Sequence, residues 1–250
     1  MLNILKKYLI DSQLYVASMA TLLTFFCMKE RITFHFALIL LIFLTYLNGY
    51  LYTKYQLRQK IMFCIFFFNL ITFIFCVWAI IHKHHPEWLI KWLSILLLGV
   101  LYNSSFLYFP IRKIPLIKIF YVALVWALIN SWLIMPRLQW DIFFITFCGV
   151  SGLILPFDIR DMCHDHIVTF PQIIGIQKTK YLAYFLLLTA SIISIFYLPP
   201  DFSLPYLTAM LIGSILVYFS SPLNPDLYFS LGVEGVAGLP FLFYLLLKLF

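Results

Sequence analysis

"LPFDIRDMCHDHIVTFP", residues 155–171, closes a long apolar run with charges of both signs. Three aspartates, one arginine and two histidines fall within nine positions, in a chain with only ten acidic residues among 250. Ionisable groups are costly in hydrocarbon, so a cluster of them at the end of an apolar segment marks a candidate functional site, provided that the chain lies in a membrane. That condition decides how the stretch is read.

Hydrophobic residues make up 64% of the chain and charged ones 11%, with a mean hydropathy of +0.99. A soluble domain carries about 45–50% apolar and about 25% charged residues. The composition therefore excludes an ordinary soluble domain. Strands of outer-membrane barrels alternate polar and apolar positions, whereas the apolar runs here are continuous, which predicts helices. The start, "MLNILKKYLIDSQLY", lacks the clean apolar core and small-residue cleavage point of a signal peptide. It reads as a cytoplasmic lead-in. Cys27, Cys64, Cys76, Cys148 and Cys163 are scattered, and four lie inside apolar runs, so they read as small buried hydrophobes.

A bilayer core takes about 20 apolar residues per helix. Nine runs qualify, near 12–28, 35–55, 61–81, 88–108, 116–135, 140–157, 179–198, 206–220 and 228–247. Short connections and the absence of a fixed-period repeat predict one all-α integral membrane bundle over residues 1–250. Counting Lys and Arg on alternate sides gives eleven on the side of the N-terminus and six on the other. The positive-inside rule then places the N-terminus in the cytoplasm and the C-terminus outside, with a bacterial inner membrane as the expected setting. The net charge of +7 is spread over membrane loops. It suits anionic membrane lipids and argues against nucleic acid.

Asp158, Asp161 and Asp165 are spaced i, i+3, i+7. On a helix turning about 100° per residue they fall within about 60° of one face. Carboxylates that close repel unless they hold protons or a cation. Mg²⁺ prefers hard oxygen ligands and is commonly shared between carboxylates and phosphates. Arg160 points elsewhere and suits direct phosphate contact. His164 and His166 read as interfacial side chains, and His82, His84 and His85 as an outer loop. A transporter would need inverted repeats or broken midplane helices, and no such pair stands out.

The block "DIRDMCHD" followed by "TFPQIIGIQKTK" resembles the second signature of the UbiA superfamily of membrane prenyltransferases. Asp158, Arg160, Asp161, Asp165, Thr169 and Pro171 match it position by position, and "RKIPLIKIFYVALVWAL" resembles that family's approach to span 5. The resemblance implies a UbiA-like bundle of about nine spans. It implies that Asp158, Asp161 and Asp165 hold Mg²⁺, with Asp161 and Asp165 catalytic, and that the metal grips the diphosphate of an isoprenyl donor. Departure of diphosphate then leaves an allylic cation for an aromatic or other lipophilic acceptor. Tyr108, Arg112 and Lys113, together with Asn103, are further candidates for the polar face of the pocket.

The same family carries a first motif of the form N-D-x-x-D-x-x-x-D on span 2. Here the place reads "NGYLYTKYQ", residues 48–56. Asn48 fits, but Gly49, Tyr52 and Gln56 replace the aspartates. Lys54 and Arg58, spaced i, i+4, offer cations to a diphosphate where the second metal clamp is missing. One reading is a divergent Mg²⁺-dependent transferase. Another is a lapsed relative that serves as a lipid-binding or scaffold subunit. A third is a cyclase acting on the prenyl diphosphate. Glu234, flanked by Gly232, Gly235 and Gly238, reads chiefly as close helix packing, with the charge paired across the bundle or protonated.

Overall fold

The computed structural model describes residues 10, 13–29, 31–32, 36–56, 59–82, 86–104, 108, 110–163 and 167–249, with backbone only for 59–61. Among the described residues eight α-helices come first, in the order α1 Leu14–Met28, α2 Phe36–Tyr55, α3 Gln59–His82, α4 Pro86–Tyr102, α5 Ile117–Ser131, α6 Trp140–Asp161, α7 Phe170–Tyr197 and α8 Pro200–Phe219. The ninth span, Tyr228–Leu249, is composite. It opens with a π turn, Tyr228–Val233, tightens to a 3₁₀ turn, Val236–Gly238, and ends as α9, Leu239–Leu249.

Long runs of Leu, Ile and Phe form helices because a backbone in hydrocarbon must satisfy its own hydrogen bonds. Buried hydroxyls follow the same rule. Thr21, Thr45 and Ser131 donate to the carbonyls four residues back at 2.6–2.7 Å. Among the described residues six segments are long and apolar enough to cross a membrane: α2, residues 62–82 of α3, α6, α7, α8 and Tyr228–Leu249. At 15 residues each, α1 and α5 fall short, as does α4 at 17. A rise of about 1.5 Å per residue makes them roughly 22–26 Å long, less than the ~30 Å core.

One buried cluster draws side chains from all eight of these helices and from the composite segment Tyr228–Leu249. At its centre Asn130 on α5 is fully buried. Its Oδ1 accepts from Thr24 of α1 at 2.6 Å and Tyr46 of α2 at 3.0 Å, and its Nδ2 donates to Thr146 of α6 at 3.4 Å. Four helices thus share one neutral polar knot. The approach of α1 to the ninth span is close: a Cβ on Gly235 would stand 2.5 Å from the Tyr15 hydroxyl, and one on Gly238 2.6 Å from Met19 Sδ. Packing is thus the role of those two glycines, while Gly232 meets only ordinary contacts with Leu216.

Several boundaries differ from the sequence reading: span 8 begins at Pro200 and not 206, span 5 ends at Ser131 and not 135, span 6 runs on to Asp161, and spans 4 and 7 differ for reasons visible in their local bonding. Expected near 108, span 4 stops at Tyr102. The Ser104 hydroxyl turns back to Val100 O at 2.5 Å, the local competition with helix that Ser and Asn favour. Span 7 begins at Phe170, well before 179. Thr169 starts it, its N–H donating to Gln172 Oε1 at 2.9 Å, and Pro171 occupies the first turn, where its missing N–H costs nothing. The chain then bends at Gly175, whose φ of 81° lies in the left-handed region open to glycine. As a result Lys178 and Lys180 stand on helix and not in a loop.

Candidate functional site

The aspartate block caps α6, which continues through Pro156 to Asp161. Asp158 is buried, with 1% of its side chain exposed, and pairs with Lys118 Nζ from the start of α5 at 2.7 Å. Arg160 clasps the neighbouring Asp161, Nε to Oδ1 at 2.7 Å and an Nη to Oδ2 at 3.0 Å. Its guanidinium also stands 5.2 Å from the Phe157 ring and 5.5 Å from the Phe229 ring. Asp158 and Asp161 therefore each face a cation of this chain. Asp165 lies outside the described residues, as do Arg58, His84, His85, His164 and His166. Among the described residues no three His, Cys, Asp or Glu side chains converge as a metal set. Asp158 and Asp161 do not make a Mg²⁺ site by themselves, so the Mg²⁺ expectation rests on Asp165.

The α2 stretch "NGYLYTKYQ" is occupied by neutral ties between helices. Asn48 Nδ2 donates to Thr72 of α3 at 2.8 Å. Trp126 of α5 donates to the Tyr50 hydroxyl at 3.0 Å. Tyr52 and Ser104 share a hydrogen bond at 2.8 Å, and Gln56 Nε2 bonds to Asn103 O. Where the resemblance would place acids, Tyr52 and Gln56 hold α2 to the segment after α4, and Gly49 holds nothing. A Cβ built on Gly49 meets no atom within 4 Å, nor does one on Gly99 of α4.

Those two glycines border a cavity of about 610 Å³ between α2, α4 and α5, with α3 along one side. That volume suits a small-molecule site. Its deep end is aromatic and aliphatic, with Tyr46, Trp92, Trp126 and Ile129. Toward the helix ends it becomes polar, with Tyr52, Thr53, Tyr102 and Arg112. Asn48 and Asn69 also line it. No residue of α6 is in its wall, so the described aspartates stand at the same end of the bundle without facing the cavity.

The remaining candidates divide. Arg112, in the 3₁₀ turn Ile111–Lys113, reaches the cavity, while Lys113 is exposed. Tyr108 is fully exposed and not in the cavity wall, because α4 ends six residues earlier. Lys54 is exposed beyond the wall, its Nζ 5.4 Å from the Tyr55 ring centre. Asn103 ties α4 to α2 in place of lining the pocket. Glu234 stands within the electrostatic reach of Arg160 and Lys54. Cys27 and Cys76 are buried as expected, but Cys64 and Cys163 are exposed.

Sequence reasoning missed Lys118, counted only as a positive charge, because its partner lies forty positions away. It also missed Gly99, although an isolated glycine among bulky apolar residues was a visible signal of a gap. No family model matches the chain, and no curated protein or solved structure matches it either.

Proposed function

We propose that this is a divergent UbiA-like membrane protein whose cavity between α2, α4 and α5 binds an isoprenyl diphosphate or a closely related prenyl phosphate. The observation that carries this reading is the cavity itself: about 610 Å³, aromatic at depth, with Arg112 at its polar end. An unsaturated isoprenoid chain suits aromatic walls, and a guanidinium suits a phosphate head. The polar end is taken as cytoplasmic by the positive-inside rule, in a bacterial inner membrane.

Mg²⁺-dependent prenyl transfer to a lipophilic acceptor is the second reading. One observation favours it: the Arg160–Asp161 pair is partly exposed at the same end of the bundle, on the block that resembles the family signature. Against it stand the pairing of Asp158 with Lys118 and the neutral residues at 49, 52 and 56. Binding without turnover is therefore the reading adopted.

The test is equilibrium binding of a prenyl diphosphate to protein in vesicles, followed by release of diphosphate with Mg²⁺ and candidate acceptors. Saturable binding is expected, weakened at least about tenfold by Arg112→Met, since a hydrogen bond to a charged group contributes about 1.5–3 kcal/mol. Release is expected to stay at the level of Asp161→Ala. Wild-type release well above that variant would establish transfer, and binding indifferent to Arg112 would remove the site proposed here.

A further inference from the structure

The polar end of the cavity offers acceptors in excess. Thr53 gives its hydroxyl hydrogen to Gly49 O at 2.7 Å, and Tyr121 gives its own to Leu98 O at 2.9 Å. Ser104 donates its one hydrogen to Val100 O at 2.5 Å. In the Tyr52–Ser104 pair at 2.8 Å the tyrosine is therefore the donor. Thr53, Tyr121 and Tyr52 all line the cavity, and their oxygens are left only to accept.

Asn69 of α3 adds a fourth acceptor to this wall. Its Oδ1 is buried and meets no donor among the described residues. Three residues separate the end of α2 at Tyr55 from the start of α3 at Gln59, so these packed helices run antiparallel. The Asn48–Thr72 pair sets their register. Tyr52 lies four residues after Asn48 and Asn69 three before Thr72, which brings both about 4.5–6 Å nearer the polar end. A buried amide oxygen without a donor is unfavourable, and a ligand that supplies one removes the penalty. Arg112 is the one cation among the described wall residues, and none of them is Asp, Glu or His.

We propose that the site takes the singly charged form of a prenyl monophosphate in preference to the diphosphate, with the phosphate O–H donating to Asn69 Oδ1 and Arg112 neutralising the one negative charge. This rests on the prenyl-phosphate reading above and names the head group within it. A phosphate monoester loses its second proton near pH ~6, so the form that carries both one charge and one donor is present around neutrality. A diphosphate brings further negative charge to a wall with a single guanidinium, and uncompensated charge is costly away from water. A phosphodiester has the right charge and no hydrogen for Asn69.

The experiment compares a C15 prenyl monophosphate, its methyl diester and the C15 diphosphate in equilibrium binding to the full-length protein in vesicles. Wild type and Asn69→Ala are measured at pH 5.5 and pH 8 with Mg²⁺ present. Around the head, the titratable and charged groups are Tyr52 of α2, Tyr102 of α4, Tyr121 of α5 and Arg112, while α3 contributes Asn69. The diester reports any pH effect of the protein, because its own phosphate does not titrate over this range. At pH 5.5 the monophosphate should bind the wild type at least about tenfold more tightly than either other ligand, the size expected of a hydrogen bond to a charged group. That advantage over the diester should be lost at pH 8. Asn69→Ala should bring the monophosphate down to the diester's affinity and leave the diester unchanged, which also shows that the variant is folded. Diphosphate binding as tight as monophosphate binding, or equal weakening of monophosphate and diester by Asn69→Ala, would overturn the head-group assignment and leave the prenyl-phosphate site standing. Absence of saturable binding by all three ligands would remove that reading and the assignment with it.

Discussion

Asp158 shows how a residue read for chemistry is used for architecture. Its carboxylate is almost wholly buried, and Lys118 meets it at 2.7 Å. Two charges withdrawn from water hold together only because each compensates the other, and losing one partner costs about 3–5 kcal/mol. Asp158→Ala should therefore destabilise the protein by that order in reversible unfolding from mild detergent. The double variant Asp158→Leu, Lys118→Met should recover to within about 1 kcal/mol of the wild type, because an apolar pair of similar volume replaces a buried ion pair at little cost. A double variant as unstable as the single one would show that Asp158 serves some partner other than Lys118. The helical placing of Asp158 and Asp161 was legible in the sequence, while Asp165 lies outside the described residues. The lysine that answers Asp158 was not, because nothing local links positions 118 and 158.

At the scale of elements, the helices carry two contrasting glycines. Gly99 sits in regular helix with open space where a side chain would project. Gly99→Ala should stabilise α4 by about 0.5–1 kcal/mol, since alanine loses less backbone entropy in a helix. Gly175 also has open space around it, but its φ is 81°. A side chain there suffers from backbone conformation alone, so Gly175→Ala should cost about 1–2 kcal/mol. Thermal unfolding of both variants checks the pair, and a gain at both positions would refute the bend at the start of α7. The same scale explains how α2 is held in place without acidic residues. Asn48, Tyr50, Tyr52 and Gln56 each tie it to a neighbouring helix or loop by a neutral hydrogen bond. Such bonds between membrane helices contribute modestly, about 0.6 kcal/mol on average, but four of them fix the helix that forms one wall of the cavity.

For the whole molecule, continuous apolar runs made the order of the nine helical segments among the described residues readable in advance. Lengths were less readable. The ends of α4 and α7 depend on Ser104, Thr169 and Pro171, whose local hydrogen bonds and ring geometry outweigh hydropathy. The polar knot at Asn130 was invisible, because a single asparagine in an apolar run does not reveal that Thr24, Tyr46 and Thr146 converge on it. Asp158 and Asp161 stand at the C-terminal end of α6, but the cavity lies among other helices. Its position follows from Gly49 and Gly99, two small residues on helices that the sequence reading treated separately. The central claim is that this space holds a prenyl phosphate. Its most direct test is saturation binding of a C15 prenyl phosphate to the wild type and to Gly99→Leu in vesicles, with unfolding measured on both proteins. The account predicts saturable wild-type binding that is abolished in Gly99→Leu while that variant remains folded. Equal binding by the two folded proteins would contradict it.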